Sequence, residues 1–271
     1  MIELFPNPTW LIGCGNMTGA MVDGWRAAGI DFSSTVVVRP SGTTVEGLRV
    51  VTALSEAGAP PRMMLLGFKP QKLPELAPDL ARWVTSRTTI VSLLAGTEAA
   101  SLRRRFPNAG AIVRAMPNLP VAIRRGVTGL YSEDAQGTER EKIGALFAAL
   151  GVAAWVPDEV KYGAIGNIAG SGPAYVARFI AALTGAGTDF GLDPQLAGTI
   201  ALETVLGTAW MAASKPEPMD SLARRVASPN GTTEAGLAVL DAENGLEAVV
   251  RAAVEAAAER GAELAEQARL A

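Results

Sequence analysis

Short apolar runs separated by stretches of helical character organise the first half of the chain. TWLI (9–12) is followed by glycines and then by the helix-like AMVDGWRAAG. TVVVRPS is a β-branched run ending in a turn signal, and RMMLLGFKP is another, stopped by Pro70. TTIVSLLAG and AGAIVRAMPN follow, each bounded by Gly or Pro. GVTGLYS adds a further strand, and a helix around 138–150 leads into VAAWVP. Unbroken apolar runs of this kind, alternating with helices, predict a parallel sheet covered on both faces. Past about residue 157 no strand pattern appears, and alanine-rich helical patterns take over. In GLEAVVRAAVEAAAERGAELAEQARL, Leu246, Val249, Val250, Ala253, Val254 and Ala257 recur at helical spacing. Gly191, Pro194, KPEP (215–218) and SPNG (228–231) punctuate these helices. The expected organisation is an α/β domain over 1–156 and an all-α domain over 157–271.

Composition narrows the possible classes. Hydrophobic residues make up 49% of the 271 positions and charged ones 19%. The mean hydropathy is +0.22, but much of the apolar content is alanine, which suits helix packing. A stretch such as IGALFAALGVAAWVP (143–157) falls short of the ~18–20 residues that cross a bilayer and contains Gly and Pro, so no membrane span is expected. MIELFPNPTW lacks the pattern of a secretory signal, and the single cysteine, Cys14, has no partner for an intramolecular disulfide; a cytoplasmic location is expected. A net charge of −3 argues against a general nucleic-acid binder. The absence of histidine removes His-centred triads and most zinc sites, and no metal site is expected.

Gly13-Cys14-Gly15-Asn16-Met17-Thr18 lies between the first strand and the first helix and reads G-x-G-x-x-T. In a dinucleotide fingerprint the first Gly makes the turn, the second admits the pyrophosphate, and the helix N-terminus faces the phosphates. Thr18 stands where a third Gly or Ala is usual, with Gly19 next to it. A glycine turn with no ligand is the alternative. After the second strand come Arg39, Pro40, Ser41, Gly42 and Thr43, with no acid before Glu46. That favours a 2′-phosphate, hence NADPH over NADH, with Arg39 as an ordinary surface charge the other reading.

With IGCGNM, GFKPQ, RAMPNLP, GSGPAYV and SPNGTT in this order, residues 9–268 resemble the pyrroline-5-carboxylate reductase family. The resemblance implies a Rossmann-type NADP-binding domain followed by a helical domain forming an intertwined homodimer, and a further ring of five dimers. The reaction it implies is reduction of 1-pyrroline-5-carboxylate, a small imine acid, to L-proline. Gly13 to Thr18, Arg39 and Ser41 then bind the phosphates. Gly67, Phe68, Lys69 and Pro70 resemble the family's Ala-Val-Lys-Pro in the cofactor cleft. Leu93, Leu94 and Ala95 lie beside the nicotinamide, and Met116 and Asn118 close that face. Glu159 and the Asn230-Gly231-Thr232-Thr233 loop face the substrate. Departures from the family pattern are Thr18, Leu94, Ala169, Asn230 and the basic Arg224-Arg225 pair, and they put the preferred imine in question. Another cyclic or linear imine, or a non-catalytic NADPH-binding dimer, are the rival readings.

The SPNGTT loop opens a helix, and an anion at such an entrance gains from free N–H groups and the helix dipole. The residues alone fit plain capping equally well, and the resemblance adds the substrate carboxylate. By carry-over Thr233 is the catalytic candidate, donating its hydroxyl near the imine nitrogen. Lys69 reads as cofactor cleft or surface, with direct chemistry a lesser reading, and Lys161 as solvated. Tyr175 is either a pocket donor or a half-buried dimer residue.

Overall fold

The computed structural model describes residues 4–215 and 217–270, the last three by their backbone. Pro216 of the KPEP stretch lies outside the described residues. The chain divides into two compact units, one running to Ser171 and resuming at Ala257, the other Gly172–Ala256.

The first unit is built on one sheet of strands β1 (Thr9–Ile12), β2 (Thr35–Val38), β3 (Arg49–Val51), β4 (Met63–Leu66), β5 (Thr89–Ser92), β6 (Ala111–Pro117), β7 (Gly126–Tyr131) and β8 (Gly151–Trp155). Their order is β3-β2-β1-β4-β5-β6-β7-β8, parallel throughout except between β6 and β7. Every strand but β3 coincides with a run read from the sequence. β3 is a three-residue edge strand with Arg49 exposed, too short for a periodic signal.

Alternation along the strands sorts the core into two layers. Trp10, Ile12, Met64, Leu66, Ile90 and Phe106 pack on one face. Leu11, Met21, Trp25, Met63, Leu65 and Phe147 pack on the other. Each such buried side chain contributes roughly 1.5–3 kcal/mol of apolar transfer. Helices α1 (Asn16–Ala27), α2 (Leu73–Ala81), α3 (Ala99–Arg105) and α4 (Gly137–Ala148) supply partners to these layers. The β3-β2-β1-β4-β5-β6 run is the doubly wound order, so the crevice for a ligand lies where the order reverses, at the carboxyl ends of β1 and β4.

The sheet ends at Trp155, beside the expected boundary at 156/157, but the compact unit does not. It continues through α5 (Glu159–Ile165) and a wider π turn over Gly166–Gly170, and it includes the end of α10 (Leu246–Leu270). The physical reason is burial: Tyr162 of α5 belongs to the sheet's core, so this helix packs with the sheet.

The second unit comprises α6 (Gly172–Asp189), α7 (Pro194–Ser214), α8 (Met219–Val226), α9 (Thr232–Leu240) and the first part of α10. Asp193 caps α7 through Gln195 N and Leu196 N, with Pro194 in the first turn. In this unit only Ala197, Ala201 and Leu222 are buried apolar residues among those described, while Phe190 is 93% and Trp210 63% exposed. Tyr175 donates its hydroxyl to Ala253 O at 3.3 Å, tying α6 to α10. By length and composition alone α7 passes for a membrane span, its 21 residues including an 18-residue window of mean hydropathy 1.3; a single such helix does not overturn the expectation of no membrane span. Glu203 was too little polarity to lower that value.

Candidate functional site

Gly13 follows β1 with a left-handed φ of 84°, and a Cβ there would lie 2.8 Å from the Gly67 carbonyl oxygen. The turn after β1 and the turn after β4 are therefore in backbone contact, which only glycine allows at this φ. Gly15 is the N-cap of α1, with no side-chain cap and no acidic residue in the first turn. A Cβ on Gly15 would meet nothing within 4 Å. Uncapped N–H groups thus face open space at a helix N-terminus, a cradle that fits a pyrophosphate. Asn16 is exposed, while Met17 is half-buried against the core. Burial pushes the Cys14 thiol above its usual range, partly offset by the nearby Arg39 guanidinium. A shift in that direction makes a cysteine less nucleophilic.

Beyond β2, Arg39 Nε donates to Ser41 Oγ at 3.1 Å, and Ser41 Oγ lies 3.0 Å from Thr43 Oγ1. Gly42, with φ of 63°, closes the turn by donating its N–H to Arg39 O. One guanidinium and two hydroxyls on an exposed turn suit a phosphate. Thr43 was not singled out in the sequence; its only signal was a hydroxyl two positions after Ser41.

Phe68 packs against the core, Lys69 is exposed, and Pro70 opens a single 3₁₀ turn. After β5, Leu94-Ala95-Gly96-Thr97 forms a turn with Gly96 at φ 72° and Thr97 N donating to Leu94 O. Ala95 is exposed here, but the Leu94 side chain is 2% exposed in the core. The Leu94 side chain therefore belongs to the core, and only its backbone is left to face a cofactor. Its partner Leu93 is half-buried against the opposite core layer.

Asn118 is also committed internally. Its Nδ2 donates to Ala169 O at 2.9 Å and its Oδ1 accepts from Val127 N at 2.8 Å. Its side-chain amide clamps the π turn to β7. Ala169 takes part through its carbonyl, which makes the missing serine hydroxyl immaterial to this contact. Met116 is half-buried and lines a cavity of about 580 Å³ shared with Ala95, Gly96, Arg114, Glu159 and Tyr162. Glu159 pairs with Arg114, and its Oε1 accepts from Ala99 N at 3.0 Å. The Arg114 guanidinium stacks over the Tyr162 ring at 4.2 Å. Burial raises the Tyr162 hydroxyl to about 12. Arg114 was missed by the sequence reading, although a charge inside the apolar run AIVRAM was a visible signal. Lys161 is exposed, 3.9 Å from Asp158.

In the helical unit, Asn230 adopts φ 56°, a left-handed conformation that Asn tolerates better than other non-glycine residues. Its N–H donates to Glu234 Oε2 at 2.6 Å and so is not a free donor. Side-chain capping of α9 does not occur: the N-cap is Gly231, with no side-chain hydrogen bond. Thr232 and Thr233 open the helix and are exposed. Arg225, basic where the family pattern is acidic, is 2.9 Å from Glu217 and so electrostatically matched.

Residues 159–264 match the model for the pyrroline-5-carboxylate reductase dimerisation domain. The chain is 38% identical over 263 residues to pyrroline-5-carboxylate reductase of Pseudomonas aeruginosa, covering 94% of this chain and 96% of that relative. The chain belongs to the pyrroline-5-carboxylate reductase family. Its similarity to the Synechocystis member is 37% identity over 218 residues, 80% of each protein. Among solved structures, it superposes on a pyrroline-5-carboxylate reductase from Coxiella burnetii with a TM-score of 0.86 and 29% identity, over 95% of this chain and 98% of that one. A Plasmodium falciparum pyrroline carboxylate reductase with NADP bound shares the fold, with a TM-score of 0.85 and 24% identity over 98% and 100%. The dimerisation-domain match takes in the whole helical unit together with α5 and part of the end of α10, and it supports homo-oligomerisation of this chain.

Proposed function

We propose that this chain reduces 1-pyrroline-5-carboxylate to L-proline with NADPH. In the balanced reaction a hydride goes to the imine carbon and a proton to the ring nitrogen. The observation that carries the cofactor assignment is the uncapped α1 N-terminus over open space at Gly15, beside the Arg39–Ser41–Thr43 group. NADPH supplies the hydride, and the protein supplies position. The α1 N-terminus holds the pyrophosphate, Arg39 and Ser41 the 2′-phosphate, and Gly67 to Pro70 with Ala95 line the cleft.

The substrate carboxylate binds the uncapped start of α9 at Gly231, Thr232 and Thr233. Thr233 donates its hydroxyl toward the imine nitrogen. A protonated imine is already electrophilic, so the chemistry needs a donor and a dipole rather than a strong base, and a chain without histidine can perform it.

A ring of five dimers and a cytoplasmic location are the finer proposals; light scattering of the purified enzyme tests the first. The reaction is tested by nicotinamide absorbance with 1-pyrroline-5-carboxylate, beside a six-membered imine acid and an NADH control. Proline as product with NADPH preferred is the expected result. Turnover of the six-membered substrate alone moves the reading to another imine, and NADPH binding without turnover moves it to a sensor.

A further inference from the structure

We infer that Glu159 is a positioning residue for the nicotinamide end of the cofactor, acting through the turn after β5 rather than by touching substrate. The inference rests on the NADPH reading above and concerns three elements of the sheet unit. Ser92, at the end of β5, is in register with Arg114 on β6. Between them the chain leaves the sheet as Leu93–Glu98, the turn whose exposed Ala95 lines the cavity beside Met116. That turn is held at both ends. Ser92 Oγ accepts from Leu94 N at 3.2 Å, and Glu159 Oε1 accepts from Ala99 N at 3.0 Å. The second anchor comes from a different element, α5, and the other Glu159 oxygen pairs with Arg114.

The charge arrangement makes this anchor rigid. The Arg114 side chain is only 7% exposed, stacks over Tyr162, and is fixed by its strand. A buried cation of this kind needs its counter-ion, and the counter-ion has one oxygen left, which the Ala99 N–H takes. Arg114 thus orients Glu159, and Glu159 anchors the start of α3, one end of a turn whose Gly96 also lies close to the α10 backbone at Leu264 and Ala265. With both carboxylate oxygens engaged by protein groups, Glu159 is placed to hold the cleft wall, not to bind the imine acid.

Ala99 allows a test that leaves the carboxylate untouched. It is the first residue of α3, and Glu98 before it is extended, with φ −73° and ψ 156°. Proline suits the backbone at such a position and removes the N–H that Glu159 accepts, while its ring adds volume beside the core. Ala99→Pro, Glu159→Gln and Glu159→Ala are titrated with NADPH and, separately, with 2′-phospho-ADP-ribose, which lacks the nicotinamide, following tryptophan fluorescence. The expected result is a rise of about ten-fold in the NADPH dissociation constant for Ala99→Pro and Glu159→Ala, what one hydrogen bond to a charged group is worth. The 2′-phospho-ADP-ribose constant should stay within about two-fold, and Ala99→Pro combined with Glu159→Ala should be no worse than Glu159→Ala alone. Glu159→Gln keeps an acceptor for Ala99 and should fall between wild type and Glu159→Ala.

Equal weakening of both ligands would reduce Glu159 to general stability and overturn the inference. So would an unchanged NADPH constant, or a raised KM for the imine with NADPH binding intact. If Glu159→Ala fails to fold, Ala99→Pro and Glu159→Gln still decide the matter. If the wild-type enzyme does not turn over 1-pyrroline-5-carboxylate, the reaction reading fails while the binding titrations remain decisive for Glu159.

Discussion

The Thr18 hydroxyl occupies the space that a side chain on Gly67 would need. Thr18 is 1% exposed, and its oxygen sits where a Cβ on Gly67 would overlap it. The two positions are therefore sterically coupled, the Thr18 side chain fitting because Gly67 has none. A larger third fingerprint residue is accommodated because the turn after β4 gives up its side chain.

Gly67→Ala should therefore destabilise the fold by about 1–3 kcal/mol, the usual cost of overpacking, and weaken NADPH binding through the displaced turn. Thr18→Ala added to it should recover most of the loss. Urea denaturation of the two single variants and the double variant checks this, and simple additivity would mean the pair is uncoupled.

Arg39→Asp should raise the KM for NADPH by more than about ten-fold, because it replaces a charge-assisted phosphate contact by repulsion. The KM for NADH should change far less. Parallel losses with both cofactors would show that Arg39 does not read the 2′-phosphate.

Thr233→Val should leave NADPH affinity unchanged and lower kcat by about ten-fold or more, if its hydroxyl bonds the nitrogen more strongly as hydride arrives. Steady-state kinetics with a fluorescence titration of NADPH separates the two effects. An unchanged kcat removes Thr233 from the chemistry.

Glu234 carries negative charge into the first turn of α9, beside the proposed carboxylate site, and its carboxylate accepts from Asn230 N. Glu234→Gln keeps that acceptor and removes the charge. The KM for the imine acid should fall by about two- to five-fold, the scale of a helix-terminus charge effect, and more so at low salt. A rise in KM would place the substrate carboxylate elsewhere.

Burial holds the Tyr162 hydroxyl neutral up to about 12, against an ordinary value of 10.0. The folded value is the higher one, so its contribution is fully present below pH 10 and is lost as pH rises toward 12. Over that window stability should fall by roughly 2–3 kcal/mol from this group alone. Tyr162→Phe should flatten that part of the profile in denaturant titrations at increasing pH.

Sequence by itself determined every strand but β3, the order of the two halves and the glycine turn after β1. Parallel strands covered on both faces are predominantly apolar without alternation, and TWLI and MMLL show this without tertiary help. The glycine at position 13 is likewise legible, because a turn with positive φ demands it. Tertiary structure decided what local pattern does not encode. Leu94 looked like a cleft residue by its place in a motif, but the direction of its side chain follows from the turn around Gly96 and sends it into the core. Arg114 and Glu159 are 45 residues apart and become one charged unit only when α5 packs on the sheet. Their pairing depends on distance through space, which sequence periodicity cannot carry.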